Sequence, residues 1–432
     1  MSRASSPTAG VDVPGRLSRA LERLPPARRH LVGLSGGLDS VVLLHALAGL
    51  ERHPPLIAVH VHHGLSPRAE DWAGACESLC RRLQIPFHCL RVDAAPGRGE
   101  SPEAAARSAR YGALAGVMQP GDGLLTAHHR RDQAETLLLQ LLRGSGPAGL
   151  AAMPLWQPLG PGWHARPFLE LDRPELEAHA RHHGLDWVED EGNQDPALDR
   201  NRLRHEILPL LRARWPAVDA TLARSAALQA EAQDLLAERA REDLEVLRGE
   251  IPGTLSVAAL ARLRPPRQRN ALRGWLQEKG LPLPGRARLK TLLQQALGAA
   301  PDAAVRVAWS GAEVRRYRDA LHAMPPLEEA PPPGWCLAWD GCTPLAVPGT
   351  GVTLTRDGVM RRHGLDPAAL PAPVTVRLRR GGERLRLGGR TRVLKKLLQE
   401  RGIPPWERER IPLIHAGDRL VVVWGLWTAE GP

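Results

Sequence analysis

The hexapeptide Ser35-Gly36-Gly37-Leu38-Asp39-Ser40 constrains this chain more than any other stretch. It follows an apolar run, His30 to Leu34, that reads as a strand, and it opens a helical pattern from Ser40 to about Leu50. Two adjacent glycines let the backbone turn tightly and approach an anion with no Cβ in the way. The helix start adds free N–H groups and the positive end of the helix dipole. Ser35 and Ser40 add hydroxyls to this phosphate cradle. A carboxylate repels bare phosphate, so Asp39 makes sense where Mg2+ bridges it to the phosphate oxygens. A plain glycine turn with a serine cap explains the glycines but not Asp39. Neither a Walker A lysine nor a G-x-G-x-x-G pattern follows the strand.

The first half of the chain alternates short apolar runs with helical patterns. Strands are expected at Leu56 to Val61, Phe87 to Val92 and Gly123 to Ala127. Helices are expected at Ala69 to Leu83, from a Ser101-Pro102-Glu103 start, and at Arg131 to Arg143. Such alternation predicts an α/β fold with a parallel, doubly wound sheet that binds its ligand beyond the carboxyl ends of the strands. Cys76 and Cys80 fall on the apolar face of their helix and read as core, and with five cysteines and no C-x-x-C a disulfide framework or metal site is not supported.

Residues 144–167 read as loop, and helices are expected at Pro174 to His183, Asp199 to Arg212 and Val218 to Leu247. The domain reading is a loose tail at 1–25, a catalytic domain at 26–215, a helical domain at 216–325, a Pro-rich linker and connecting segment at 326–372, and a small α+β domain at 373–432. No apolar run is long enough to span a membrane, and a cytoplasmic location fits. The net charge of +11 suggests a polyanionic partner. Residues 371–432 hold 13 Lys and Arg against 6 Asp and Glu. Val374, Val376 and Leu378 alternate there with Thr375, Arg377 and Arg379, which predicts one apolar and one basic strand face.

A second box, Ala127-His128-His129-Arg130-Arg131-Asp132-Gln133-Ala134-Glu135-Thr136, ends the fourth strand and enters a helix. Asp132 and Glu135 are three apart, so they share a face near the helix start. There they could hold a metal, take a proton from an amine, or complement the helix dipole.

The hexapeptide resembles the PP-loop of N-type ATP pyrophosphatases, which cleave ATP between its α and β phosphates and adenylate an acceptor. The second box resembles the H-H-x-D-D-Q-x-E-T box of tRNA(Ile)-lysidine synthetases, with Arg131 where that box has the first of two adjacent acids. His60-Val61-His62-His63-Gly64-Leu65, the helix with Arg107 and Arg110, Asp190-Glu191-Gly192-Asn193-Gln194-Asp195, and Arg200-Asn201-Arg202-Leu203-Arg204 fit the same family. So do Arg379-Arg380-Gly381-Gly382-Glu383-Arg384 and Leu394-Lys395-Lys396-Leu397. The resemblance implies ATP and Mg2+ as cofactors, with ATP on Ser35 to Ser40, His62 and His63, and the metal on Asp39. It implies L-lysine and a tRNA(Ile) with a CAU anticodon as substrates. Asp39, Asp132, Glu135 and Arg204 take catalytic roles, Asp132 and Glu135 positioning metal or lysine with one of them a candidate base, and Arg204 clamping the activated intermediate. Arg107, Arg110, Arg200, Asn201, Arg377, Arg379, Arg380, Arg384, Lys395 and Lys396 meet tRNA. A homodimer is left open. The rival readings are a tRNA thiolase, which needs a cysteine pair, a NAD- or GMP-synthetase-like enzyme, which leaves the basic terminal domain without a role, and a non-catalytic RNA-binding protein with a degenerate loop.

Overall fold

The computed structural model describes residues 12–64, 68–93, 95, 102–189, 198–300, 303–329, 331, 334–365 and 373–430. Leu65, Ser101, the acidic stretch at 190–195, residues 1–11 of the tail and parts of the 326–372 segment lie outside the described residues. The chain forms two units, Met1–Leu236 and Ala237–Pro432, with the division inside the helix Val218–Leu247.

The first unit is built on a six-stranded sheet. Its strands are β1 (His30–Gly33), β2 (Leu56–His62), β3 (Phe87–Arg91), β4 (Gly123–Leu125), β5 (Trp156–Leu159) and β6 (Gly162–Ala165), in the order β3-β2-β1-β4-β6-β5. All are parallel except β5, which forms a hairpin with β6. Helices α1 (Val13–Leu21), α2 (Leu38–Ala48), α3 (Ala69–Leu83), α4 (Pro102–Val117) and α5 (Arg130–Leu142) accompany it. The chain runs outward from β1 to β2 and β3, then returns to place β4 on the other side of β1. The segments leaving β1 and β4 therefore meet at the point where strand order reverses, the ordinary ligand crevice of an open parallel sheet. Val32, Leu43, Leu44, Leu47, Ala58 and Phe168 pack the core there, together with Cys76 and Cys80.

Four expectations are corrected. Residues 13–21 are not part of a loose tail: Val13 and Leu17, one helical turn apart, are fully buried in the core of the first unit, and Arg16 pairs with Glu175 at 2.7 Å. The short amphipathic stripe was hidden by the Ser-, Pro- and Gly-containing residues before it. Residues 144–167 carry a short helix, Pro147–Leu150, and the β5–β6 hairpin. Prolines and glycines punctuate that hairpin, yet Trp163 lies so close over Gly123 that a Cβ there would sit 2.4 Å from its ring.

In the second unit, the region read as helical also contains a four-stranded antiparallel sheet, Leu255–Ser256, Ala320–Met324, Ala312–Tyr317 and Arg306–Trp309. Its strand pattern is obscured because Glu313 is fully buried between Arg306 and Arg315, at 2.8 and 2.7 Å. Nor is 326–372 only a linker: Cys336–Trp339 pairs with Val374–Arg377, and Trp339, Val347, Leu354 and Val359 share a core with Val376 and Ile414. Among the described residues, no helix is long and apolar enough to cross a membrane.

Candidate active site

The loop after β1 has the form its sequence requires. Gly36 sits at φ +87°, and a Cβ there would lie 2.9 Å from Val188 Cγ2 and 3.2 Å from Cys76 Sγ. Gly37 starts α2 with no side-chain cap, which leaves the first-turn N–H groups for a ligand. The Ser40 hydroxyl donates to the Gly37 carbonyl at 2.9 Å and lies 3.1 Å from Ser35 Oγ, so the two serines brace the turn. His60 donates from Nδ1 to the Leu34 carbonyl at 2.8 Å and holds the loop from below. Gly36→Ala combines a left-handed backbone with a tight contact. It is expected to destabilise the first unit by about 1–3 kcal/mol and to abolish ATP turnover, which thermal melts and AMP release would measure.

The segment after β4 reaches the same edge. His129 caps α5, accepting from the Arg131 N–H at 3.2 Å, while the Asp132 carboxylate accepts from the His129 N–H at 3.0 Å. His129 also links the two acids: Nε2 is 3.6 Å from Asp39 Oδ2, and Nδ1 is 3.6 Å from Asp132 Oδ2. Burial opposes charge on His129, but Asp132 and Asp39 outweigh it and raise its pKa. Asp39 is one-third exposed, and its Oδ1 is a buried oxygen with no partner among the described residues.

Asp132 and Glu135 do share a face, and arginines saturate it. Arg204 donates to Glu135 Oε1 and Oε2 at 2.7 and 2.8 Å and reaches Asp132 at 3.3 Å. Arg200 donates to Glu135 at 2.8 Å and to Asp132 at 3.0 Å. Glu135 is fully buried. Burial disfavours a charged Asp132, but His129 and Arg200 outweigh it and hold its pKa well below the usual carboxylate range. A carboxylate with so little affinity for a proton is an anchor rather than a base. Both arginines come from a segment expected to be one helix. It is helix Asp199–Arg202, a π-helical turn Leu203–Ile207 and helix Leu208–Arg214. π-turns of this kind often mark functional sites. Arg131 donates to the Arg204 carbonyl within that turn at 3.0 Å, so it braces the arginine rather than contributing an acid. Asn201 is buried beside them.

His62 and His63 lie at the end of β2. His62 is 3.4 Å from Glu70, and His63 accepts from Arg110 at 3.4 Å. Burial and Arg110 lower the His63 pKa to about 4. Arg107 lies over the Tyr111 ring at 5.0 Å. Three residues that sequence reasoning did not single out, Thr126, His164 and Arg166, form a hydrogen-bonded chain to His128 at this edge. His164 lies in β6, and Thr126 and Arg166 directly follow β4 and β6, so no pattern in the sequence marked them as a group.

In the second unit, the strand alternates as its sequence implies, with Val374, Val376 and Leu378 buried and Thr375, Arg377 and Arg379 on the more exposed face. Arg377 donates to His415 at 2.8 Å and Arg379 lies 3.5 Å from Glu383, both half-buried, while Arg380 donates to the Gly334 carbonyl. The exposed cations include Arg384, Arg386, Arg390 and Arg392 on the hairpin Arg384–Leu387/Arg390–Val393, with Lys395 and Lys396 on the next helix.

Three family models match: a PP-loop domain at residues 12–211, a TilS substrate binding domain at 255–322 and a TilS substrate C-terminal domain at 374–432. The chain is similar to tRNA(Ile)-lysidine synthases from Alkalilimnicola ehrlichii (46% identity, 96% of this chain and 94% of the relative) and Methylococcus capsulatus (42%, 94% and 94%). That from Coxiella burnetii is 41% identical over 98% of this chain and 94% of the relative. With identity of this level sustained from the PP-loop to the basic terminal domain, the chain belongs to the tRNA(Ile)-lysidine synthase family.

Proposed function

We propose that this chain joins free L-lysine, through its ε-amine, to carbon two of the wobble cytidine in the CAU anticodon of a tRNA(Ile), consuming ATP. The base oxygen is first adenylated with release of pyrophosphate. Lysine then attacks the activated carbon and AMP leaves. The observation that carries this reading is the meeting of the uncapped α2 start with the Asp39–His129–Asp132 line at one sheet edge, within a family of this named activity.

The α2 start and the two braced serines receive the pyrophosphate end of ATP, with His62 and His63 toward the nucleoside. The unpartnered Oδ1 of Asp39 fits Mg2+, which prefers carboxylate oxygen and keeps much of its hydration; when bound, the ion neutralises charge on the phosphates. Asp132 and Glu135 hold Arg200 and Arg204 toward the developing phosphoryl charge, and so position the groups that the incoming lysine meets. Arg107 and Arg110 flank the anticodon. Arg384, Lys395 and Lys396 meet the phosphate backbone elsewhere on a cytoplasmic tRNA, joined by Arg386, Arg390 and Arg392. Arg377, Arg379 and Arg380, steadied by His415, Glu383 and the Gly334 carbonyl, add to that basic surface.

Radiolabelled lysine with ATP and tRNA(Ile) carrying CAU tests this. Incorporation into that tRNA, and none when the wobble base is changed, is expected. AMP formation without lysine transfer would move the reading to another nucleophile.

A further inference from the structure

His128 stands beside the acid–arginine cluster, and its ring is held by a chain of side chains that no part of the mechanism above uses. Thr126 Oγ1 lies 2.8 Å from His128 Nδ1 and 2.8 Å from His164 Nε2. Arg166 donates to His164 Nδ1 at 3.2 Å and to the Pro154 carbonyl at 3.0 Å. His164 is fully buried and Arg166 nearly so. Among the described residues no carboxylate pairs with Arg166, and its Nε has no partner. Keeping an arginine there without an acid is costly, so the position calls for an account.

Counting protons supplies one. A guanidinium only donates, so His164 Nδ1 must accept. A neutral His164 then carries its proton on Nε2 and donates to Thr126 Oγ1. The Thr126 hydroxyl has no third partner among the described residues. If it accepted from both rings, its own proton would lack an acceptor. It therefore donates to His128 Nδ1, which must be unprotonated. The single remaining proton of a neutral His128 sits on Nε2. That nitrogen has no hydrogen-bond partner among the described residues, and the ring is only half-buried. The charges around it come from Asp132, Arg166, Arg200 and Arg107. Burial is the largest influence on both rings and keeps them neutral, with pKa lowered to about 3 for His128 and about 2 for His164.

We propose that Arg166, His164 and Thr126 are positioning residues that lock His128 as a neutral ring presenting Nε2–H to an oxygen of the reacting nucleotide during adenylation. A cation at the head of a hydrogen-bonded chain polarises each bond in turn, so the terminal N–H becomes a better donor. A donor fixed before reaction stabilises charge as it develops, with no reorganisation at that moment. The inference rests on the lysidine-forming reading for its substrate, but the tautomer itself can be read without any reaction.

The test uses the full-length chain with 15N-labelled histidine. Ring nitrogen shifts are expected to show His128 with Nδ1 bare and Nε2 protonated. Thr126→Val, which keeps the shape, and His164→Ala are expected to give a mixture of tautomers. Each should lower kcat for lysidine formation by roughly 10–100-fold with KM for ATP and lysine unchanged. His164→Gln is the rescue variant: its amide N–H can donate to Thr126 while its carbonyl accepts from Arg166, so tautomer and kcat should recover. A wild-type His128 protonated on Nδ1 overturns the proposal. So does a folded Thr126→Val variant with wild-type tautomer and turnover. If His128 shows the expected tautomer but no lysine is incorporated, the reading of the reaction fails while the relay stands.

Discussion

Replacing Arg204 by methionine is expected to destabilise the first unit by about 3 kcal/mol and to lower lysidine formation on the order of 10²–10³-fold. Glu135 is fully buried and receives two of its bonds from Arg204. Removing one partner of a buried ion pair leaves a charge that neither water nor protein compensates. The loss stays at the low end of the range because Arg200 remains on Glu135 Oε2 at 2.8 Å. Arg200→Met should cost less, since that residue gives one bond to each acid. The combination Arg204→Met with Glu135→Gln separates the two effects. Removing the negative charge should restore part of the stability, with a coupling of about 1–3 kcal/mol, and should restore none of the activity. Urea unfolding and lysine incorporation on the same four proteins would read both. Additive stability losses would mean that the pair does not act as one unit.

Acid is expected to unfold the first unit well before its carboxylates titrate. Burial, the largest influence on each, lowers the pKa of His30, His63 and His179 to about 4, of His128 to about 3 and of His164 to about 2, against an ordinary value of 6.5. For a histidine held neutral by the fold, the unfolded chain binds more protons between these values. Stability is therefore complete above about 6.5 and falls as pH drops toward the folded value. Each group contributes up to ~1.4 kcal/mol per pH unit within its window. His63 and His128 are only half-buried and count for less. His129, whose pKa is raised, works in the opposite direction. The net loss between pH 7 and 5 is roughly 5 kcal/mol, a large part of a domain's stability. Asp132, held below the carboxylate range, adds its own loss only as pH falls below about 4. Calorimetric Tm values across this range should drop steeply, and His164→Gln should flatten the profile by one group. A Tm that stays level from pH 7 to 5 would show that these rings are not held neutral.

Elements whose cause is local were legible in the sequence. Ala69–Leu83 and Val218–Leu247 are helices with the bounds their periodicity implies. The loop Ser35 to Ser40 has its form because Gly36 needs a left-handed φ and Gly37 an uncapped helix start, requirements of neighbouring atoms only. The alternation of apolar runs and helices determined the parallel sheet, and so the edge at which the two boxes meet. What the sequence could not determine was the pairing of side chains far apart along the chain. Arg200 and Arg204 bind acids 65 to 72 positions earlier, and a π-turn sets their approach. The buried Glu313 between two arginines hid a strand, and the pairing of Cys336–Trp339 with Val374–Arg377 drew an apparent linker into a sheet. The tertiary structure alone brought Arg166 and His164 to Thr126, and so decided which nitrogen of His128 carries a proton. Periodicity records which face of an element is buried; it holds no information about which distant group completes a hydrogen bond there.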